Sequence, residues 1–367
     1  VVSQPVRSAA EWTAGDVAGV LAQACPAARV TSIRPGPPSY SNCLWLAETV
    51  DGRLLVRIPG RSTDPEYVRA TVTATRLASE AGVPTVRYHE FVPHTPLGLP
   101  VTIQEYLPGE SGTAALRADR ADLRLLASTL GDWLGTLHGV RRETFGAVTG
   151  SAQRTTWASA ATDQVEAALR AVPEAALPAA PATIASAFAQ AIAELGPGEP
   201  ASLVHGDLYL DNMLVDNGAP AALLDFEHAH YYDRFADFGK LSELLFEWWP
   251  GAEEPFLESY RDHFPADPAD EVRLRLGVGL YALNQTAYFA RWQPELVGSI
   301  GRGSVSGWSP GSQLARGWMG RTPARARRAS AREMGWSSAS AASSTASQSR
   351  MSSLMVTPRR RASALRD

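Results

Sequence analysis

Residues 205–227 read His-Gly-Asp-Leu-Tyr-Leu-Asp-Asn-Met-Leu-Val-Asp, then a glycine-containing turn, then Ala-Ala-Leu-Leu-Asp-Phe-Glu. Three oxygen-bearing side chains stand around two short apolar runs: Asp207, Asn212 and Asp225. A carboxylate exposed on a glycine-hinged turn can take a proton. An amide oxygen and a second carboxylate can hold Mg²⁺, which prefers few carboxylates together with phosphate oxygens and water. Transfer of a phosphoryl group to a hydroxyl needs this set. The hydroxyl needs a base, the triphosphate needs a divalent cation, and a fixed positive group must hold the phosphates. Asp207 is therefore the candidate base, and Asn212 and Asp225 are the candidate Mg²⁺ ligands. Glu227 stands two residues beyond Asp225 and, on a continuing strand, would share its face and assist the same ion.

Other constellations point less sharply. Lys240 is the only lysine in the chain, so no Gly-Lys-Ser/Thr phosphate loop exists and any phosphate-holding cation in the N-terminal half must be arginine. Glu227-His228-Ala-His230 brings metal-binding residue types together, but alternation along a strand end would point neighbours to opposite faces, and no zinc site is expected. His138 ends a leucine-rich segment and is expected to be packed rather than catalytic.

The elements that must position these groups come next. Val30–Ile33, Leu44–Leu46 and Leu54–Ile58 read as three strands, with a loop at 34–42 and a tight turn at Asp51-Gly52. A helix over 64–81 follows, opened by Asp64-Pro65 and closed by Gly82-Val-Pro84. Strands near 86–92 and 100–106 complete a small antiparallel sheet, preceded by an amphipathic helix at 11–25. Beyond Gly109 the pattern is helical: Leu123, Leu126, Leu130, Leu134 and Leu137 recur at core-facing spacing. Helices are also expected within 158–200 and at 236–250, 255–264 and 270–292.

With these elements in place, the chain resembles the aminoglycoside phosphotransferase family, antibiotic kinases with a protein-kinase-like fold, over about residues 25–295. His205-Gly-Asp-Leu-x-x-x-x-Asn212 and Leu224-Asp-Phe-Glu227 carry the resemblance, and Asp207 and Asn212 have the base-to-amide spacing of kinase catalytic loops. Asp233-Arg-Phe-Ala-Asp237-Phe-Gly is similar to the stretch that follows in that family, which implies that Asp237 braces the catalytic loop. The resemblance implies an α+β bilobal fold with a small antiparallel sheet lobe and a larger, mainly helical lobe. It implies that Arg57, on the third strand, contacts the nucleotide phosphates. Pro37–Asn42 is similar to the nucleotide loop, where Ser39 or Ser41 would donate to phosphate or simply shape the turn. Thr102–Gly109 is similar to the hinge, where the Glu105 carbonyl and the Leu107 amide would hold the purine edge. Kinase-like folds pair the third-strand cation with a helix glutamate. Here Thr71 stands near that place, and Glu66 is the second choice.

Charge is uneven. Residues 301–367 carry twelve arginines against Glu333 and Asp367, so with −4 overall residues 1–300 hold about −14. An acidic body argues against nucleic acid as a partner and suits a small cationic acceptor. Two cysteines, Cys25 and Cys43, with no secretory signal and no apolar span of membrane length, make the cytoplasm the expected compartment. The expected division is a nucleotide-binding lobe at 1–108, a catalytic and acceptor-binding lobe at 109–298, and a basic, low-complexity tail at 299–367 that is disordered or non-native.

The expected activity is that of an ATP- or GTP-dependent kinase, with Mg²⁺, acting on a hydroxyl of an antibiotic and so conferring resistance. A metabolic kinase of the same fold, acting on choline, homoserine, a sugar or a fructosamine, is the alternative. A binding module with a silent kinase site is a rival of another class. So is a two-metal phosphoesterase, for which the sequence lacks the further Asp and His clusters.

Overall fold

The computed structural model describes residues 12–292, except 40–41, 61–63, 96–97, 151–152 and 178. The expectations for Ser41 and for the 299–367 tail lie outside the described residues.

The chain begins with helix α1 (Ala14–Ala24), whose Thr13 and Asp16 side chains reciprocally cap its first turn. Strands β1 (Val30–Pro35), β2 (Asn42–Thr49), β3 (Gly52–Pro59), β4 (Tyr88–Val92) and β5 (Val101–Glu105) form one antiparallel sheet in the order β1-β2-β3-β5-β4. The β2–β3 hairpin closes one residue earlier than the Asp-Gly dipeptide suggests. Thr49 pairs with Gly52, which leaves Val50 and Asp51 at the corner. Trp12, Val17, Val20 and Leu21 pack with Trp45, Val56, Ile58, Val101 and Ile103 into a separate core on this sheet. Helix α2 (Pro65–Ala81) is capped by Asp64, which accepts the Glu66 N–H at 2.9 Å, and ends at left-handed Gly82.

The second part of the chain is mainly helical. A short strand β6 (Glu110–Ser111) leads into α3 (Gly112–Arg117) and α4 (Leu123–His138). Leu126, Leu130, Leu134 and Leu137 of α4 are fully buried, at about 2 kcal/mol of hydrophobic stabilisation each. They face a core shared with Phe238, Phe256 and Tyr260. Strands β7 (Arg141–Arg142), β8 (Phe145–Ala147) and β9 (Gln153–Arg154) precede helices α5 (Trp157–Ala171) and α6 (Pro181–Leu195). After β10 (Ala201–Val204), the strands β11 (Met213–Asp216) and β12 (Ala219–Leu223) pair antiparallel and are joined by β6 in the order β12-β11-β6. Strand β13 (His230–Tyr232) enters a further sheet in the order β7-β10-β13-β8-β9. That sheet was not expected, because two- to four-residue strands leave no readable alternation.

Helix α7 (Ala236–Leu241) runs into a π-helical stretch, Ser242–Glu247, and is followed by α8 (Glu253–His263) and α9 (Asp270–Trp292). Helices α7 and α9 meet at two glycines. A Cβ on Gly239 would stand 2.4 Å from the Tyr281 Cβ, and one on Gly277 would stand 2.2 Å from the Phe235 carbonyl oxygen. The sheet part and the β11–β12 hairpin are stitched by backbone: Thr85 bridges Leu223 in parallel, and the Leu223 N–H donates to the Pro84 carbonyl at 2.8 Å.

Candidate active site

The turn that carries Asp207 is held from behind by one carboxylate. Asp237, on the first turn of α7, accepts the His205 N–H at 2.8 Å through one oxygen and the Gly206 N–H at 2.7 Å through the other. It is fully buried, and His138 Nε2 lies 3.1 Å from it. Burial works to raise the Asp237 pKa, but His138, through its hydrogen bond and its charge, and His205, through its charge and its backbone N–H, hold it below the ordinary carboxylate range. His138 Nδ1 accepts from the Tyr260 hydroxyl at 2.9 Å, so the neutral Nε2–H tautomer satisfies both partners. Tyr260 is in turn 3.5 Å from Arg234, which pairs with Asp270 at 2.5 Å. His138 is thus packed, as expected, and its packing also steadies the catalytic turn.

Gly206 adopts φ +77°, and a Cβ there would lie 2.4 Å from the His228 carbonyl oxygen. Only glycine meets both conditions. His205 locks the turn from its other side, accepting the Asp207 N–H at 3.3 Å and contacting the Leu224 carbonyl at 2.9 Å through Nε2. The result is an Asp207 side chain that is 30% exposed, on a backbone fixed at three points.

Asn212 ends a short 3-10 turn, Leu210–Asn212, rather than lying on a strand. Its Nδ2 donates to the Asp207 carbonyl at 2.8 Å and approaches Asp207 Oδ2 at 3.3 Å. With the nitrogen so directed, the amide oxygen is turned away from Asp207. Asp225 lies just beyond β12 in the left-handed region, at φ 66° and ψ 57°. A non-glycine residue held there is a strained position of the kind concentrated at functional sites. The residues that follow, Phe226–His228, form a 3-10 turn. The expectation that Glu227 shares a strand face with Asp225 is therefore corrected, although the two carboxylates still converge.

They converge on Arg57. Its Nη2 donates to Asp225 Oδ1 at 2.6 Å and to Glu227 Oε2 at 2.9 Å. Burial works to raise the Asp225 pKa, yet the Arg57 charge and hydrogen bond, aided by His205 and His228, hold it below the ordinary value. The partner of the third-strand cation is thus not on the helix after it. Thr71 is buried and donates to the Tyr67 carbonyl at 3.1 Å, while Glu66 pairs with Arg69 and Glu80 with Arg76 on the exposed face of α2. Asn42 Nδ2, at the start of β2, lies 3.5 Å from Glu227 Oε2 and ties the loop before it to the same point.

The remaining expected residues make local contacts. Ser39 Oγ accepts the Asn42 N–H at 3.3 Å, which is turn-forming geometry. Glu105 ends β5, its N–H donating to the Arg87 carbonyl at 3.0 Å and its carboxylate accepting the Arg87 N–H at 2.6 Å. Leu107 follows in a segment, 106–109, without regular structure. The donor set of Asn212, Asp225 and the nearby Glu227 is all oxygen, which fits a hard divalent cation.

A family model described as "Phosphotransferase enzyme family" matches residues 32–274. The chain belongs to this family. It is a phosphotransferase with a hydroxyl as acceptor, and its small antiparallel sheet followed by a helical part is the α+β, protein-kinase-like fold of that family. Aminoglycoside phosphotransferase APH(4)-Ia superposes with a TM-score of 0.59 at 16% identity, covering 84% of this chain and 100% of that one. A candidate fructosamine-3-kinase from Haemophilus somnus 129PT gives 0.59 at 17% identity, covering 78% and 97%. Macrolide 2'-phosphotransferase MphH from Brachybacterium faecium gives 0.51 at 18%, covering 81% and 98%. At these identities the likeness is one of fold. No curated protein matches the sequence.

One residue of this phosphotransferase escaped the sequence reading. Lys240, on α7, makes an ion pair with Asp207 Oδ1 and places its Nζ 4.0 Å above the Tyr209 ring. The available signal was its solitude among the cations and its place three residues after Asp237.

Proposed function

We propose that the enzyme transfers the γ-phosphate of ATP or GTP to a hydroxyl of an antibiotic, a modification that confers resistance. The observation that carries the reading is the braced turn of Asp207, bonded to Asn212, with Asp225 held next to it because the Leu224 N–H donates to the Asn212 carbonyl at 2.8 Å. Asp207 orients the acceptor hydroxyl and takes its proton. Asn212 and Asp225, with Glu227 adjacent, hold Mg²⁺, which supplies charge neutralisation at the phosphate oxygens. Arg57 links that metal-binding turn to β3 and steadies the nucleotide phosphates. Ser39 borders the phosphates, and the backbone at Glu105 and Leu107 meets the purine.

Structures of APH(4)-Ia with AMP-PNP and hygromycin B, and of aminoglycoside 2'-phosphotransferase-IIIa with GDP, support a purine nucleotide as donor. The acidic charge of residues 1–300 supports a cationic acceptor such as an aminoglycoside.

The test is release of nucleoside diphosphate from Mg-ATP or Mg-GTP in the presence of an acceptor panel. Turnover with an aminoglycoside or macrolide is the expected result. Turnover confined to choline, homoserine, sugars or fructosamines replaces the antibiotic reading with a metabolic one. The absence of nucleotide binding defeats both.

A further inference from the structure

Arginine supplies nearly every cation in this chain, yet the base of the active site is met by its single lysine. Lys240 is only 14% exposed at its side chain, so this is not a surface pair. Helix α7 fixes its position twice over. Asp237 ties the helix to the catalytic turn, and Gly239, between the two residues, seats it against Tyr281 of α9.

The ammonium is held incompletely. Among the described residues its hydrogen-bond acceptor is Asp207 Oδ1, and its other contact is the face of the Tyr209 ring. An ammonium has three donors, so two are left for a ligand. The ring attracts the charge without consuming a donor.

The geometry of the reaction says which ligand comes near. An acceptor hydroxyl bonded to Asp207 lies about 2.7 Å from the carboxylate. The phosphorus that it attacks lies about 3–3.5 Å farther on. A cation bonded to the same carboxylate is therefore within one side-chain swing of the transferred group, whereas the rest of the nucleotide lies beyond it. Arg57 is already engaged by Asp225 and Glu227.

We propose that Lys240 is a catalytic residue, the cation that binds the non-bridging oxygens of the transferred phosphoryl group while holding Asp207 in place. This rests on the kinase reading above. In the step, the acceptor O–H passes its proton to Asp207 and its oxygen bonds to phosphorus. The bond from phosphorus to the bridging oxygen breaks, and the nucleoside diphosphate leaves with that electron pair. Lys240 transfers no proton; it donates hydrogen bonds to the oxygens on which charge resides. A compact ammonium fits this shared position between carboxylate and phosphoryl better than the rigid fork of a guanidinium, which accounts for a lysine in a chain otherwise built with arginine.

The experiment compares calorimetric binding of Mg-AMP-PNP and Mg-ADP, or the guanine equivalents, to the full chain. In Lys240→Met the triphosphate analogue is expected to bind about tenfold more weakly while the diphosphate is unchanged, the loss of one charge-assisted contact confined to the third phosphate. Equal affinities of wild type and variant for both nucleotides, or an equal loss for both, overturn the assignment and leave the kinase reading standing. A wild type that binds neither nucleotide overturns the kinase reading and this proposal with it. Should Lys240→Met fail to fold, Lys240→Cys is used, with 2-bromoethylamine to rebuild an ammonium of nearly lysine length and treated wild type as the control for Cys25 and Cys43. Recovery of the triphosphate preference is expected; its failure to return also overturns the assignment.

Discussion

His138 Nε2 lies 3.1 Å from Asp237 Oδ2, and neither side chain has any exposed surface. The catalytic turn is thus anchored through a carboxylate whose own partner belongs to α4. Replacing His138 by Ala leaves Asp237 with its two backbone donors but without its side-chain partner, and also strips the Tyr260 hydroxyl of an acceptor. The expected cost is about 2–3 kcal/mol, read as a lower urea midpoint. A fall in kcat without a matching change in nucleotide affinity should accompany it.

The same pair sets a pH dependence. Burial pushes the His138 imidazole below its ordinary value, against the pull of Asp237, so it stays neutral in the fold. In the unfolded chain it titrates near about 6.5. Below that pH the unfolded chain binds a proton that the folded chain does not, so stability falls as pH drops through the unfolded value. His230 is also pushed down by burial and adds a slope of the same sign. The readout is therefore a difference: urea midpoints between about pH 8 and about pH 5 should decline more steeply for wild type than for His138→Asn.

Asp207→Asn removes the proposed base while keeping the shape of the side chain. Transfer should fall by roughly 10²–10⁴-fold. Binding of the Mg-nucleotide, measured separately, should survive. Retained turnover would place the base elsewhere.

The partner of Arg57 gives a paired test. Glu227→Gln removes one of its two carboxylates from a nearly buried position and should weaken nucleotide binding and lower the melting temperature. Glu66→Gln and Glu80→Gln alter exposed pairs within α2 and should leave both measurements at wild-type values. The opposite pattern would restore a helix partner for the third-strand cation.

Gly206→Ala tests the turn itself. The methyl group would meet the His228 carbonyl at 2.4 Å, on a backbone at φ +77°. A loss of at least about 2 kcal/mol is expected, together with loss of transfer. Gly19→Ala is the control, because nothing lies within 4 Å of a Cβ there.

What was legible in the sequence was local. Asp64 before Pro65 and Gly82 at the far end mark α2 by capping chemistry, and the leucine spacing marks α4 by its period. His205-Gly206-Asp207 and Asn212 announce the site because their roles depend on near neighbours. Arg57 shows the limit. Its partners Asp225 and Glu227 lie 168 and 170 residues away, and no propensity carries information across such a separation. Glu227 reads as a strand residue because the apolar run of β12 gives no sign that the chain turns left-handed at Asp225 and enters a 3-10 turn. The pairing of Lys240 with Asp207 is not legible either, because nothing in residues 236–241 reveals which way the helix faces.

The glycine contact between α7 and α9 limits how the two helices can move against each other. Helix α7 carries the brace of the catalytic turn, and α9 carries Tyr281 and Gln285, bonded to each other at 2.8 Å beside Glu243. With no side chain between Gly239 and the Tyr281 Cβ, one helix cannot slide or rotate without displacing the other. The two helices then shift only as one body, and the brace that α7 gives to the turn at 205–207 shifts with them. Alanine at Gly239 or Gly277 should accordingly disturb that turn as well as the helix pair.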